Sequence, residues 1–366
     1  MRKINLVLLF LGLFLLAETN IYAQRRPSRQ KIRSKSRQIS SYRGGASSPF
    51  GSRTYNSVSF NISSMNYFGD LSPKTSIGST DISFTRPGVG LSYERKLLPR
   101  VSVRAAVLYG RLKGSDFESA DPNDQGARFR YVRNLQFRND IFEFSATGIL
   151  DILPNYGTFV TRPDFAPYIF GGIAVFYHNP KGLVPDTDVN TGIPLAEAGQ
   201  WVALEPLGTE GQYSEGSGVS TYSNVQIAIP VGLGVRYRVT PLLDLSLEVG
   251  YRHLFFDHID DVSGNYVDLG LLNSNLARAM SDRSREANDV ESGNPRDLTN
   301  PNIAEIVSRA VSYLSADGRT YNVIAGYGQP GENIRGDPKD DDIYIVTSIR
   351  LTYIFGGSLF GGAKYR

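Results

Sequence analysis

The side chains able to do chemistry in this sequence are few. There are three histidines, His178, His253 and His258, and His258 sits in an acidic run with Asp257, Asp260 and Asp261. A hydrolase would need such a histidine with a serine, or paired acids, within hydrogen-bond reach. No nucleophile elbow and no complete triad order accompany them, and "GVGLSYERK" lacks the lysine placement of a phosphate loop. "DDVSG" and "DPKDDD" offer oxygens that suit calcium, but neither has the EF-hand spacing. There is no cysteine, which excludes disulfides and thiolate metal sites. The expectation is a chain that is not an enzyme and carries no cofactor or metal, with these acids solvating loops.

A second set of candidate residues is basic. Residues 24–50 carry eight Lys or Arg, no acid and no apolar period. Such a stretch reads as a disordered arm. Its charges Arg25, Arg26, Arg29, Lys31, Arg33, Lys35 and Arg37 would bind a partner protein or an anionic leaflet. A merely solvated linker is the alternative.

What precedes the arm narrows the choice. Arg2 and Lys3 lead into the apolar run Ile4–Ala17, and "IYAQ" offers cleavage after Ala23. Residues 1–23 are therefore predicted to be a cleaved signal peptide, although Ile21 is not the small residue such a site prefers. An uncleaved anchor is the alternative, against which the run is short for a spanning helix. Export points away from nucleic acid. No later stretch is long and apolar enough for a spanning helix, so any further membrane crossing must use strands.

The strands that would position everything else are visible as period-two patterns. In "NVQIAIPVGLGVRYRV" (224–239) every odd position is Val, Ile, Leu or Tyr. Every even position is Asn, Gln, Ala, Pro, Gly or Arg. Val58, Phe60 and Ile62 alternate with Ser57, Ser59 and Asn61; Val89, Leu91 and Tyr93 with Gly90, Ser92 and Glu94. Similar patterns begin at Val101, Leu243 and Ile345. "NLQFRNDIFEFSATGIL" holds a strand of ambiguous register, and "PYIFGGIAVFYH" is apolar on both faces except for its glycines. That makes eight strands. The joins after strands one, three, five and seven are long, whereas "KLLPR" and "TP" are tight turns.

Short turns on one rim and long loops on the other are the pattern of a transmembrane antiparallel β-barrel of the outer-membrane kind. A soluble barrel would hide its apolar face. Here the polar face mixes Glu94, Arg104, Arg236, Arg238, Asp244, Glu248, Arg252 and Arg350 with small residues, which suits a tight lumen where charges pair. The fold class is therefore all-β, with residues 55–355 as the barrel, residues 24–54 as a periplasmic arm and 356–366 as a periplasmic tail. The last outer loop, about 257–342, should carry a short helix: Ile303, Ile306, Val307, Ala310, Val311 and Leu314 recur at helical spacing. "GRTYNVIAGYGQ" (318–329) could also extend a hairpin in that loop, raising the strand number to ten or twelve.

Six stretches resemble the PorG-like outer-membrane proteins of the Bacteroidota type IX secretion system. They are "NYFGDL" (66–71), "RNLQFRNDIFEFS" (133–145), "PYIFGGIAVFYHNPK" (167–181), "EPLGTEGQ" (205–212), "IPVGLGVRYRV" (229–239) and "GYRHLFFDHIDDVSGNYVD" (250–268). The resemblance implies a small barrel in the outer-membrane bilayer that accompanies periplasmic ring and core proteins of a secretion machine, without catalysis. The basic arm and the insertion after about Gly270 depart from the compact pattern. From the residues alone, a surface adhesion or ligand-binding barrel, a rim-sited enzyme and a narrow pore stay open as alternatives.

Overall fold

The structure, a computed structural model, describes residues 54–71, 84–215, 217–338 and 341–355. The expected signal peptide, basic arm and C-terminal tail lie outside these residues.

Eight long strands form a closed antiparallel barrel. They are β1 (Asn56–Phe68), β2 (Arg86–Lys96), β3 (Val101–Ser115), β4 (Gln136–Asp151), β5 (Phe165–Tyr177), β8 (Val225–Arg238), β9 (Leu243–Leu254) and β12 (Ile343–Phe355). Each pairs with its neighbour, and β1 against β12 closes the ring from Asn56↔Phe355 to Phe68↔Ile343. Closure removes every strand edge, which is what lets a sheet stand in a bilayer with its backbone groups satisfied. No helix among the described residues is long and apolar enough to cross a membrane.

The period-two patterns fall on the faces expected of them. Val58, Phe60, Ile62, Leu91, Ile227, Leu233, Leu247 and Ile349 are all exposed, while Ser57, Ser59, Asn61, Glu94, Glu248 and Arg350 are buried. An apolar belt around the circumference is far larger than a protein left in water exposes, so lipid is its covering. The ambiguous fourth strand resolves with Phe142, Phe144 and Leu150 outward and Glu143, Ser145, Thr147 and Ile149 inward. On β5 both faces are apolar because its inner rings fill the lumen. Tyr168 and Phe170 pair in register with Gly234 and Gly232 of β8. A Cβ at Gly234 would fall 2.5 Å from the Tyr168 ring, and one at Gly232 2.5 Å from the Phe170 ring. The glycines of "VGLGV" are the space those aromatic rings occupy.

The loops are distributed as expected. Short turns join β2 to β3 and β8 to β9, and a thirteen-residue link (152–164) joins β4 to β5. Apart from a 3-10 turn at Phe159–Thr161 in that link, the joins on the opposite rim carry the remaining elements. β6 (Pro180–Leu183) and β7 (Trp201–Ala203) form a ribbon that continues β4 above the barrel, pairing Arg138 with Lys181.

One reading of the last loop needs correction, the length of its helix. The helix ends at Val307, having begun at Pro301 with Asn300 as its cap. Ala310–Leu314 is instead strand β10, paired with β11 (Thr320–Ile324). Val311 and Tyr313 favour a strand, and Gly318 supplies a positive φ of 77° at the hairpin turn. The hairpin is a separate two-stranded sheet, so the barrel keeps eight strands. A second helix, Asn275–Ser281, with Ser274 accepting from the Ala277 N–H, gave no clear period in the sequence.

Candidate functional site

The lumen is filled in two layers. Nearer the short-turn rim it holds paired charges contributed by alternate residues of facing strands. Arg104 lies 2.8 Å from Glu248 and 3.2 Å from Glu94; Arg236 lies 3.1 Å from Glu94, and Arg350 2.9 Å from Glu248. Tyr168 donates to Glu248 at 2.5 Å. Lys96 pairs with Asp151, and Arg162 with Asp244. Further up, Glu143 takes Arg252 at 3.2 Å and the Tyr344 hydroxyl at 2.8 Å. Each carboxylate meets at least one cation, as buried charges require. The cavity between Arg104, Glu143, Phe170, Glu248 and Arg252 has a volume of about 30 Å³, room for roughly two waters.

Towards the long-loop rim the lumen becomes apolar. Met65, Leu108, Phe137, Ile141, Phe176 and Leu254 from the barrel pack with Ile259, Val262, Val184, Leu204 and Met280 from the loops. The outer mouth is thus closed by loops that fold down into it.

Above this plug, a buried polar network holds the loops to one another. Glu210 of "PLGTEGQ" accepts from the Ser263 N–H at 3.0 Å, the Gly264 N–H at 3.2 Å and Arg335 at 2.8 Å. Asp261 accepts from Thr209 at 2.5 Å and Tyr222 at 2.7 Å, and its carbonyl takes Arg335 at 2.7 Å. It holds this position at a φ of +67°, which aspartate tolerates better than most residues. Arg133 clamps Asp116 with two 2.8 Å bonds and donates to the backbone carbonyls of Asp70 and Arg335. Asn139 donates to the Ile259 carbonyl at 2.6 Å. Tyr67 lies 2.5 Å from Asp260 and 2.9 Å from Asp342. Stretches far apart in sequence, at 66–71, 133–145, 205–212 and 250–268, therefore meet in one cluster.

Burial dominates the electrostatics of this cluster. Asp257 is buried, and burial, then Asp260 and Asp70, push it up to about 9, with Ser263 opposing. Burial and neighbouring acids hold Asp260 and Asp342 well above the usual carboxylate range. Asp261 is raised by burial to about 6, with Arg335 opposing. His178 is lowered to about 4 by burial; one ring nitrogen meets the Ser223 carbonyl at 3.1 Å, and the other is buried without a partner. His258 is also lowered by burial, lies tilted against the Tyr222 ring with centroids 4.8 Å apart, and stands 3.7 Å from Glu210. His253 stands on the outer face of β9 beside Phe255, as parity required.

The acidic run is thus brought together with Tyr67, Asp342 and Asp70. Among the described residues no histidine ring meets a serine hydroxyl; His178 reaches only the backbone carbonyl of Ser223. No three His, Asp or Glu among the described residues stand in metal-ligating geometry. The basic candidates from Arg25 to Arg37 lie outside the described residues. Sequence reasoning missed Arg133, Asp116 and Arg335. Arg133 begins a quoted stretch, but nothing in its spacing points to Asp116 or Arg335.

A closed, plugged eight-stranded barrel of the outer-membrane type is the class this geometry defines. A family model described as a domain of unknown function, DUF6089, matches residues 50–192. No curated protein matches the chain. Among solved structures it is similar to Neisserial surface protein A, at 12% identity over 82% of this chain and 96% of that one, with a TM-score of 0.30. It is also similar to the attachment invasion locus protein Ail of Yersinia pestis (9% identity, 82% and 97% covered, TM-score 0.30). OprG of Pseudomonas aeruginosa is a third (8%, 83% and 96%, TM-score 0.33). Likenesses this weak carry no argument about role.

Proposed function

We propose that this chain is a non-enzymatic outer-membrane component of a protein-secretion machine of the type IX class, exported by a cleaved signal peptide. In this role the barrel anchors or positions a periplasmic ring assembly. The observation that carries the reading is the interlocking of the resembling stretches. "NYFGDL", the start of "RNLQFRND", "PLGTEGQ" and "DDVSG" meet through Arg133, Glu210, Asp261 and Arg335. A generic barrel has no need of that lock. The filled lumen supports an anchor over a conduit, because ion pairs and the plug occupy the path a solute would take.

An even number of strands puts both barrel ends on the short-turn rim, which faces the periplasm in barrels of this kind. The basic residues Arg25, Arg26, Arg29, Lys31, Arg33, Lys35 and Arg37 precede β1, so they would extend from that rim towards a partner.

The test is co-purification from detergent-solubilised membranes, with and without residues 25–45. Ring proteins retained by the full chain and lost with the deletion support the reading. Unchanged retention and unchanged secretion reduce the arm to a linker. If no ring protein co-purifies with the full chain, the anchoring role fails. A surface ligand-binding barrel is the second reading. It is favoured by the outer hairpin, which leaves Val311 and Leu314 exposed, and binding of a surface ligand by the purified barrel would support it.

A further inference from the structure

On one side of the barrel the outward-facing positions change abruptly from apolar to charged. The outward series on β4, read towards the loops, is Phe144, Phe142, Asp140, Arg138; on β3 it is Val107, Tyr109, Arg111. Tyr109 pairs in register with Phe142, and Phe142 with Tyr177; all three rings are about half exposed. Aromatic rings at strand ends mark the level where hydrocarbon gives way to headgroups. Four residues further, at about 3.4 Å each on a strand tilted by roughly 40°, Arg138 stands on the order of 10 Å beyond that level. That is the outer edge of a headgroup layer roughly 5–7.5 Å thick, from which a long arginine side chain can reach back to the phosphates.

The acids nearby are already engaged. Arg111 pairs with Asp140 at 2.6 Å, and Lys113 with both Glu118 and Glu291 at 3.0 Å. Two cations remain. Arg138 has no hydrogen bond or ion pair among the described residues, and its Nε is buried without a partner. Its guanidinium lies over the Trp201 ring at 4.2 Å from the centroid. Lys181 pairs with Arg138 across the β4–β6 ladder and also lacks an ion pair among the described residues. A Cβ at the next residue, Gly182, would strike Met280 and Leu204 of the plug, so the face carrying Lys181 is the outer one.

We propose that Arg138 and Lys181, with Trp201 as platform, bind the phosphate of an anionic lipid headgroup in the leaflet at the long-loop rim. The arginine is suited to a phosphate because its planar fork grips two oxygens at once. Stacking on the indole fixes that fork in advance, and the lysine adds a second charge from the adjacent strand. The bound lipid would hold the β6–β7 ribbon, and with it the cap, at the membrane surface.

Trp201 is the only tryptophan in the chain, so its fluorescence reports on this site alone. The full-length barrel in neutral detergent is titrated with dihexanoyl phosphatidic acid, with dihexanoyl phosphatidylcholine and inorganic phosphate as controls. The expected result is a saturable change in Trp201 emission with phosphatidic acid, a much weaker one with phosphatidylcholine and none with inorganic phosphate. Lys181→Gln leaves the Arg138–Trp201 stack in place and is the deciding variant. It should weaken phosphatidic acid by about tenfold, as loss of one hydrogen bond to a charged group predicts. Arg138→Gln should weaken it at least as much, with Arg138→Lys retaining part. Equal responses to the two lipids, a matching response to inorganic phosphate, or an unchanged titration in Lys181→Gln would each overturn the proposal. Loss of thermal stability in Arg138→Gln with lipid affinity unchanged would also overturn it, leaving the stack as a staple for the ribbon.

Discussion

The Tyr67 hydroxyl, on the first barrel strand, lies 2.9 Å from a carboxyl oxygen of Asp342, the residue that precedes the last strand. The same hydroxyl lies 2.5 Å from Asp260 in the capping loop. A phenol has one proton to give. It donates to one acid and accepts from the other when that acid is protonated, which agrees with the raised affinity of both acids for protons. The seam of the barrel and its cap therefore share one hydrogen-bonded unit. Tyr67→Phe should destabilise by about 1–3 kcal/mol, because it leaves buried acids without their partner. Thermal unfolding of the detergent-folded protein measures this, and an unchanged midpoint would separate cap from seam.

Asp257 sets a pH dependence whose sign can be worked out. Its folded pKa of about 9 is above the ordinary value of 3.8. Between those values the folded chain holds a proton that the unfolded chain releases, so stability falls as pH rises from about 4 to about 9. Asp260 and Asp342 act in the same direction. His178, lowered to about 4, and His258 oppose them below about 6.5. The window from pH 7 to 9 is therefore the informative one. Unfolding midpoints should drop across it, and Asp257→Asn should flatten the slope.

The lipid face gives a sharper test. Leu233 is 57% exposed in the middle of β8. Leu233→Arg should cost about 2–4 kcal/mol on folding into bilayers. Its neighbour Gly232 points the other way, where a Cβ would fall 2.3 Å from the Val249 carbonyl oxygen. Gly232→Ala should therefore also destabilise, by about 1–3 kcal/mol, although it adds one methyl. If Leu233→Arg leaves folding into bilayers unaffected, the assigned faces are wrong.

Much of this architecture could be read from the sequence. A barrel strand alternates because lipid and lumen lie on opposite sides of the same pleat, so Val225–Arg238 announced its faces unaided. The β4 register was harder, because Phe137 and Ile141 fill the inner face where the plug needs apolar groups. The pattern Ile303–Leu314 misled for another reason. Short apolar runs fit either period, and pairing with Thr320–Ile324 decided for a strand after Val307. Of the site, the acidic run Asp257–Asp261 was legible as a cluster of unusual groups. Its partners were not, because Arg133 and Arg335 reach it from loops 202 residues apart. No local spacing encodes such a contact.

The lumen charges should behave as a unit. Glu248 is held by Arg104, Arg350 and Tyr168. Glu248→Gln leaves two buried arginines under-compensated, and breaking buried pairs in this way costs about 3–5 kcal/mol. The double variant Glu248→Gln, Arg104→Met should recover part of that loss. Additive losses in the double-mutant cycle would mean that the pair is not coupled.

Planar-bilayer recording tests most directly whether the barrel is occluded, as the proposed anchoring role requires. Pure protein inserted into the membrane should give no steady channel, because ion pairs and the loop plug leave a cavity of about 30 Å³. Brief, irregular events from loop fluctuation are compatible with that. A stable, large and reproducible conductance from the purified chain would contradict both the filled lumen and the anchoring role.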